Sequence, residues 1–132
     1  MVIDASALVA ILCREPGYEL IADRIRRASR RLTNGIALFE TALAVARIQT
    51  VGIDDAVAIV NDFRVRNGIV PVSMGLVEAR LALAAHARFG KGRHPARLNL
   101  GDCFAYACAK AHGARLLFVG DDFPQTNIAP AL

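Results

Sequence analysis

Short apolar runs alternate with longer amphipathic stretches along this chain, and each change of period marks an element. Met1-Val2-Ile3 is three apolar residues followed by Asp4, the pattern of a buried strand that breaks on a polar residue. Ala5 to about Arg14 then reads as a helix, with Ser6 able to cap it and Pro16-Gly17 ending it. Gly17 to about Arg30 sets Tyr18, Leu20, Ile21 and Ile25 against charges, the spacing of a second, amphipathic helix. Arg31-Leu32-Thr33 predicts a short strand closed by Asn34-Gly35. Helices are expected from Ile36 to about Val51, from Asp54 to about Asn67, and from Leu76 to about Phe89. Between the last two, Ile69-Val70-Pro71-Val72 predicts a strand, placed at a sheet edge by its proline. Gly90 to Pro95 predicts a flexible basic loop, and Leu100 to His112 a helix stopped by Gly113. Arg115 to Val119 is the strongest strand signal, and Thr126-Asn127-Ile128 predicts a last edge strand. Strands separated by helices predict an α/β fold: a three-layer α/β/α sandwich on a mostly parallel sheet.

Composition narrows the class. A chain of 132 residues fits one domain and buries roughly two-thirds of its unfolded surface. Its 55% hydrophobic content and mean hydropathy of +0.37 are high for a chain with no apolar run near the roughly 18 residues of a membrane span. The surplus apolar surface is expected in a dense core or under a partner. Without a signal-peptide pattern, and with three cysteines scattered as Cys13, Cys103 and Cys108, a reducing cytoplasm is the expected compartment. The net charge of +4 permits a polyanionic partner. Its distribution says more: Arg24, Arg26, Arg27, Arg30 and Arg31 crowd one segment, and Arg88, Lys91, Arg93 and Arg97 another. Either group is a solvated face or a polyanion-binding surface.

Four carboxylates stand where the fold alone does not ask for them. Asp4 and Asp121 follow strands, at the carboxyl ends where parallel sheets bind ligands. Glu40 interrupts a helix apolar nearly all round, which is expected to be buried nearly all round. Asp102 opens a helix just after Asn99-Leu100-Gly101, and Asp122 follows Asp121. Capping, an ion pair and an Asp-rich turn account for each singly. Were all to converge, each pair at ~4 Å would repel by on the order of 4 kcal/mol at an effective dielectric of ~20. Such a cluster calls for cations or raised pKa values. Oxygen donors without a thiolate or paired histidine suit Mg²⁺ or Mn²⁺.

The stretches Val2-Ile3-Asp4-Ala5-Ser6-Ala7, Glu40 in its helix, Leu98 to Ala107, and Leu117 to Phe123 together resemble a PIN-domain ribonuclease, in particular the VapC-type toxins of toxin–antitoxin systems. The resemblance implies a PIN fold and a Mg²⁺- or Mn²⁺-dependent endoribonuclease. It further implies a VapB-like antitoxin as partner, RNA as substrate, and a homodimer. It maps Asp4, Glu40, Asp102 and Asp121 onto an acidic quartet that binds metal and catalyses hydrolysis, with Ser6, Asn99 and Asp122 in supporting roles. Arg88, Lys91, Arg93 and Arg97, next to Asp102 in the chain, are the expected RNA contacts. Where such toxins often continue Thr-Asp-Ile, this chain has Thr126-Asn127-Ile128, so an accessory acid is missing. A phosphoacceptor domain would need an acid pair after the first strand and a lysine after the last, and this chain has neither. A PIN-like module that binds RNA or protein without cutting is the alternative that the residues leave open.

Overall fold

A computed structural model describes residues 1–132. Four short strands, β1 (Val2–Ile3), β2 (Leu32–Asn34), β3 (Val70–Val72) and β4 (Leu116–Leu117), pair in the order β3-β2-β1-β4, all parallel. Six helices lie between them: α1 (Ala5–Leu12), α2 (Tyr18–Arg27), α3 (Gly35–Gln49), α4 (Ile53–Arg66), α5 (Leu76–Phe89) and α6 (Leu100–Ala111).

Strand alternation produces the layers. Val2, Leu32 and Leu116 point to one face and pack on Ala82, Ala85 and Phe89 of α5 and Cys103, Ala107 and Cys108 of α6. Ile3 and Leu117, one residue on, point to the other and pack on Leu8 of α1 and Ile21 and Ile25 of α2. The register that pairs Val2 with Leu116 and Ile3 with Leu117 keeps both sets aligned, because side chains alternate with period 2. A third, smaller cluster joins α3 to α4 through Ala42, Val45, Ala56 and Val60. The result is the α/β/α sandwich expected, with β3 and its Pro71 on the edge. No single helix is long and apolar enough to cross a membrane.

Three expectations are corrected. Helix α3 is not buried nearly all round: Phe39 is 63% and Leu43 45% exposed, and only Ala37, Thr41, Ala42 and Val45 are buried. Strand β4 stops at Leu117, because the Val119 N–H turns to Ser6 Oγ (3.0 Å) and leaves the ladder. No strand forms over Thr126–Ile128. Thr126 Oγ1 donates to the Phe123 carbonyl and accepts from the Ile128 N–H, local bonds that compete with a ladder. The tail pairs with β4 slightly later, through Leu116 N–H to Ala129 O (2.9 Å) and Ala131 N–H to Leu116 O (2.8 Å).

Candidate active site

Asp4 leaves β1 as the N-cap of α1, and that position explains how a carboxylate stays where only 4% of it reaches solvent. Its Oδ2 accepts from the Ser6 N–H (3.0 Å) and from Ser6 Oγ (2.5 Å). Ser6 Oγ accepts in turn from the Val119 N–H, so one hydroxyl ties the ends of β1 and β4 to Asp4. Burial pushes the Asp4 pKa up, and the Ser6 bonds pull against it.

Asp102 enters from α6. Asn99 caps this helix through a reciprocal pair: Asn99 Oδ1 accepts from the Asp102 N–H (3.0 Å) and Asp102 Oδ2 from the Asn99 N–H (2.8 Å). One Asp102 oxygen is therefore held by backbone. Burial raises its pKa to about 6; the Asn99 bond works against this, and the charges of Asp4 and Asp122 add to it. Glu40 comes from α3, whose start is set by Asn34 Oδ1 accepting from the Ala37 N–H (2.9 Å). Burial raises the Glu40 pKa first, then the charges of Asp4 and Asp102. The Glu40 carboxylate lies over Gly101, where a Cβ would run into it. A glycine at 101 thus leaves room for the Glu40 carboxylate in this position.

These three acids line one cleft of about 390 Å³ with Ala5, Ser6, Val9, Glu15, Ala44, Asn99 and Val119. Glu15, on the turn after α1, escapes sequence reading: Glu-Pro-Gly has the look of ordinary turn chemistry. Asp121, expected as the fourth acid, is exposed and does not line the cleft, and neither does Asp122. The chain turns at Gly120 (φ 110°) just before them, and the charge of Asp122 acts on Asp102. Asn127 is occupied elsewhere, accepting from the Tyr106 hydroxyl (2.7 Å).

No three carboxylates converge tightly enough, as they stand, to ligate one ion. Mg²⁺ does not require that, since it is held by one or two carboxylates and keeps several waters. Three hard, mutually repelling acids with raised pKa values fit such a cation.

The two arginine-rich segments separate in the structure. Arg31 donates to the carbonyls of Ala28 (3.0 Å), Asn67 (2.6 Å) and Arg26 (3.3 Å), and Arg24 to that of Ala131. Arg26 and Arg27 pair with Asp23 at 3.2 and 2.6 Å. Arg88, Lys91, Arg93 and Arg97 are exposed and take part in none of the salt bridges. The loop that carries them is stapled, not loose: Lys91 N–H bonds Leu98 O (3.0 Å), Leu98 N–H bonds Phe89 O (3.0 Å), and Ala96 and Leu98 are buried. Lys91 and Asn99 line a second, apolar hollow between α5 and α6, and Asn99 also lines the acidic cleft, so loop and cleft adjoin.

A parallel α/β/α sandwich with an acidic cleft at the carboxyl ends of its strands matches the family described as PIN domain over residues 1–129, and the chain belongs to that family. Among its relatives, ribonuclease VapC30 of Mycobacterium tuberculosis is 41% identical over 98% of this chain and 96% of its own. A VapC ribonuclease of Rhizobium meliloti is 37% identical over 96% and 97%. Ribonuclease VapC of Mycolicibacterium smegmatis is 39% identical over 98% of both.

Proposed function

We propose that this chain is the toxin of a VapBC-type toxin–antitoxin pair, an endoribonuclease that hydrolyses RNA phosphodiester bonds with Mg²⁺, or Mn²⁺ in its place. The observation that carries the reading is the convergence of Asp4, Glu40 and Asp102 on one cleft, in a chain 41% identical to a VapC ribonuclease. Residues 1–132 act as a single nuclease domain, and the cytoplasm keeps the three thiols reduced.

Asp4, Glu40 and Asp102 would hold the cation, which when bound stabilises charge on the phosphodiester and activates the attacking water. Ser6 holds Oδ2 of Asp4 and so fixes that side chain where it lines the cleft. Asn99 does the same for Asp102, leaving Oδ1 uncommitted. Gly101 keeps Glu40 within reach of both. Asp121 is the fourth acid the resemblance implies, with Asp122, whose charge acts on Asp102, as the alternative. Arg88, Lys91, Arg93 and Arg97 hold the RNA backbone beside the cleft. The apolar groove of about 370 Å³ between α3 and α4, with Phe39, Leu43, Ile53 and Val57 along it, suits an amphipathic segment of a VapB-like antitoxin. A homodimer would cover part of the remaining apolar surface.

The test is cleavage of end-labelled RNA by the purified chain. Internal cuts are expected with Mg²⁺ or Mn²⁺ and none with chelator. Asp4→Asn, Glu40→Gln and Asp102→Asn should each abolish them and the cation-induced rise in Tm. Binding of RNA with no cutting under any divalent cation would make the chain a silent module instead.

A further inference from the structure

The cleft has a direction. Val9 lies about one turn beyond Ala5 on α1, and Ala44 one turn beyond Glu40 on α3, so the lining follows both helices away from the strand ends by ~5.4 Å. Glu15 stands past that point, and Asn99, shared with the hollow beside Lys91, lies toward the basic loop. The place of Glu15 is fixed by its backbone: its N–H bonds Ala10 O (2.9 Å), its carbonyl accepts from the Tyr18 N–H (3.0 Å), and Arg14 before it is left-handed at φ 53°. The residue is partly buried, and its carboxylate has neither an ion pair nor a hydrogen bond. A negative charge held there without a counter-charge favours nothing in the free protein, but it repels a phosphate on its way along the cleft.

We propose that Glu15 is a specificity-determining residue: it closes the α1–α3 end of the cleft to phosphate, so that an RNA strand is held on the loop side of the cleaved bond and extends little beyond it on the Glu15 side. This rests on the reading that the cleft cuts RNA. Glu15 is not assigned to the cation. It acts on the strand, by setting which side of the scissile bond contributes binding energy.

Affinity for short single-stranded RNAs, extended stepwise on either side of a mapped cut and measured in chelator, tests the idea. With the wild-type protein, extension on one side should tighten binding and extension on the other should not. Glu15→Gln should tighten binding of the doubly extended RNA about fivefold at low salt, the worth of one unit-charge contact. Glu15→Lys should tighten it further, restore the gain from the silent side, and steepen the salt dependence by just under one unit of slope. The Mn²⁺-induced rise in Tm should persist in Glu15→Gln. Unchanged affinity in both variants, while reversal of Lys91 and Arg93 to Glu still weakens binding, overturns the proposal and leaves the RNA reading standing. Loss of the Mn²⁺ response in Glu15→Gln also overturns it, by making Glu15 a cation ligand. If neither the loop nor the Glu15 variants alter RNA binding, the strand does not run along this cleft, and the proposal falls together with the loop assignment; absence of any cut would instead end the RNA reading itself.

Discussion

Asp102 does two jobs whose demands conflict. Its Oδ2 completes the cap of α6, which favours an ionised carboxylate, while its burial near Asp4 raises the pKa to about 6. In the unfolded chain the same group titrates near 3.8. The folded state therefore holds the proton more tightly. The stability this contributes is fully present below 3.8 and is lost as pH rises through about 6. Asp4 and Glu40, also raised, push the same way. The cation-free protein should melt lower at neutral pH than in mild acid, and Asp102→Asn should flatten that slope and raise the neutral-pH Tm. A Tm lowered at every pH would mean that the cap outweighs the repulsion. Gly101→Ala isolates geometry from charge. The new methyl meets only the end of the flexible Glu40 side chain, and alanine favours a helix, so stability should change by less than about 1 kcal/mol. Displacing Glu40 by about an ångström should still cost cleavage on the order of a hundredfold. Wild-type turnover in that variant would remove Glu40 from the site. Asp4 and Glu40 were legible in the sequence because an acid is costly at the end of a buried strand or within an apolar run; Asp102 stood out only in their company, since a helix start favours an acid. Glu15 was not legible, because a glutamate before Pro16-Gly17 has a turn to explain it.

Helices and strands show which regularities carry over from sequence and which do not. The alternation of apolar strand and amphipathic helix located every strand of the sheet, since each is short and bounded by turn residues and all but β2 are apolar throughout. Its limits lie where side chains bond locally: Ser6 draws Val119 out of β4, and Thr126 folds the tail on itself before it can pair. Periodicity also could not show that α3 leaves Phe39 and Leu43 in solvent, because an apolar residue facing a partner looks the same as one facing a core. The arginines after α2 are the clearest case of charge spent on structure. Arg31 holds the turn after α2 to the end of α4 through three carbonyls, just ahead of β2. Arg31→Ala should destabilise by about 2 kcal/mol, read from denaturant midpoints. Arg31→Lys should recover little of it, since an ammonium cannot span three acceptors in fixed directions. Full recovery by lysine would mean that the charge alone matters.

On the scale of the whole molecule, a net charge of +4 describes the surface poorly, because its cations are unequal. In and just after α2, Arg24 and Arg31 are bound to carbonyls and Arg26 and Arg27 to Asp23, whereas Arg88 at the end of α5 and Lys91, Arg93 and Arg97 in the loop after it are exposed and outside every salt bridge. The loop is also anchored, by Leu98 and Ala96 beneath it and by the bond between Lys91 and Leu98, so its charges are presented at a fixed place. Asn99 follows directly and lines the acidic cleft. An RNA backbone drawn to the loop thus arrives beside the three acids that would repel it without a cation. Reversing Lys91 and Arg93 to Glu should weaken RNA binding across sequences, most strongly at low salt, and lower the salt slope by about one unit per lost phosphate contact. Cleavage at saturating RNA should fall much less, because these side chains position the strand and do not touch the attacking water. The same reversal at Arg26 and Arg30 is the control, and it should leave binding nearly unchanged. Arg26 is already paired with Asp23, and Arg30 stands 3.5 Å from His112 Nδ1, away from the cleft. Were the control to reduce binding and the loop variant to leave it intact, the RNA path would run over α2, and the charges of the α5–α6 loop would need another partner.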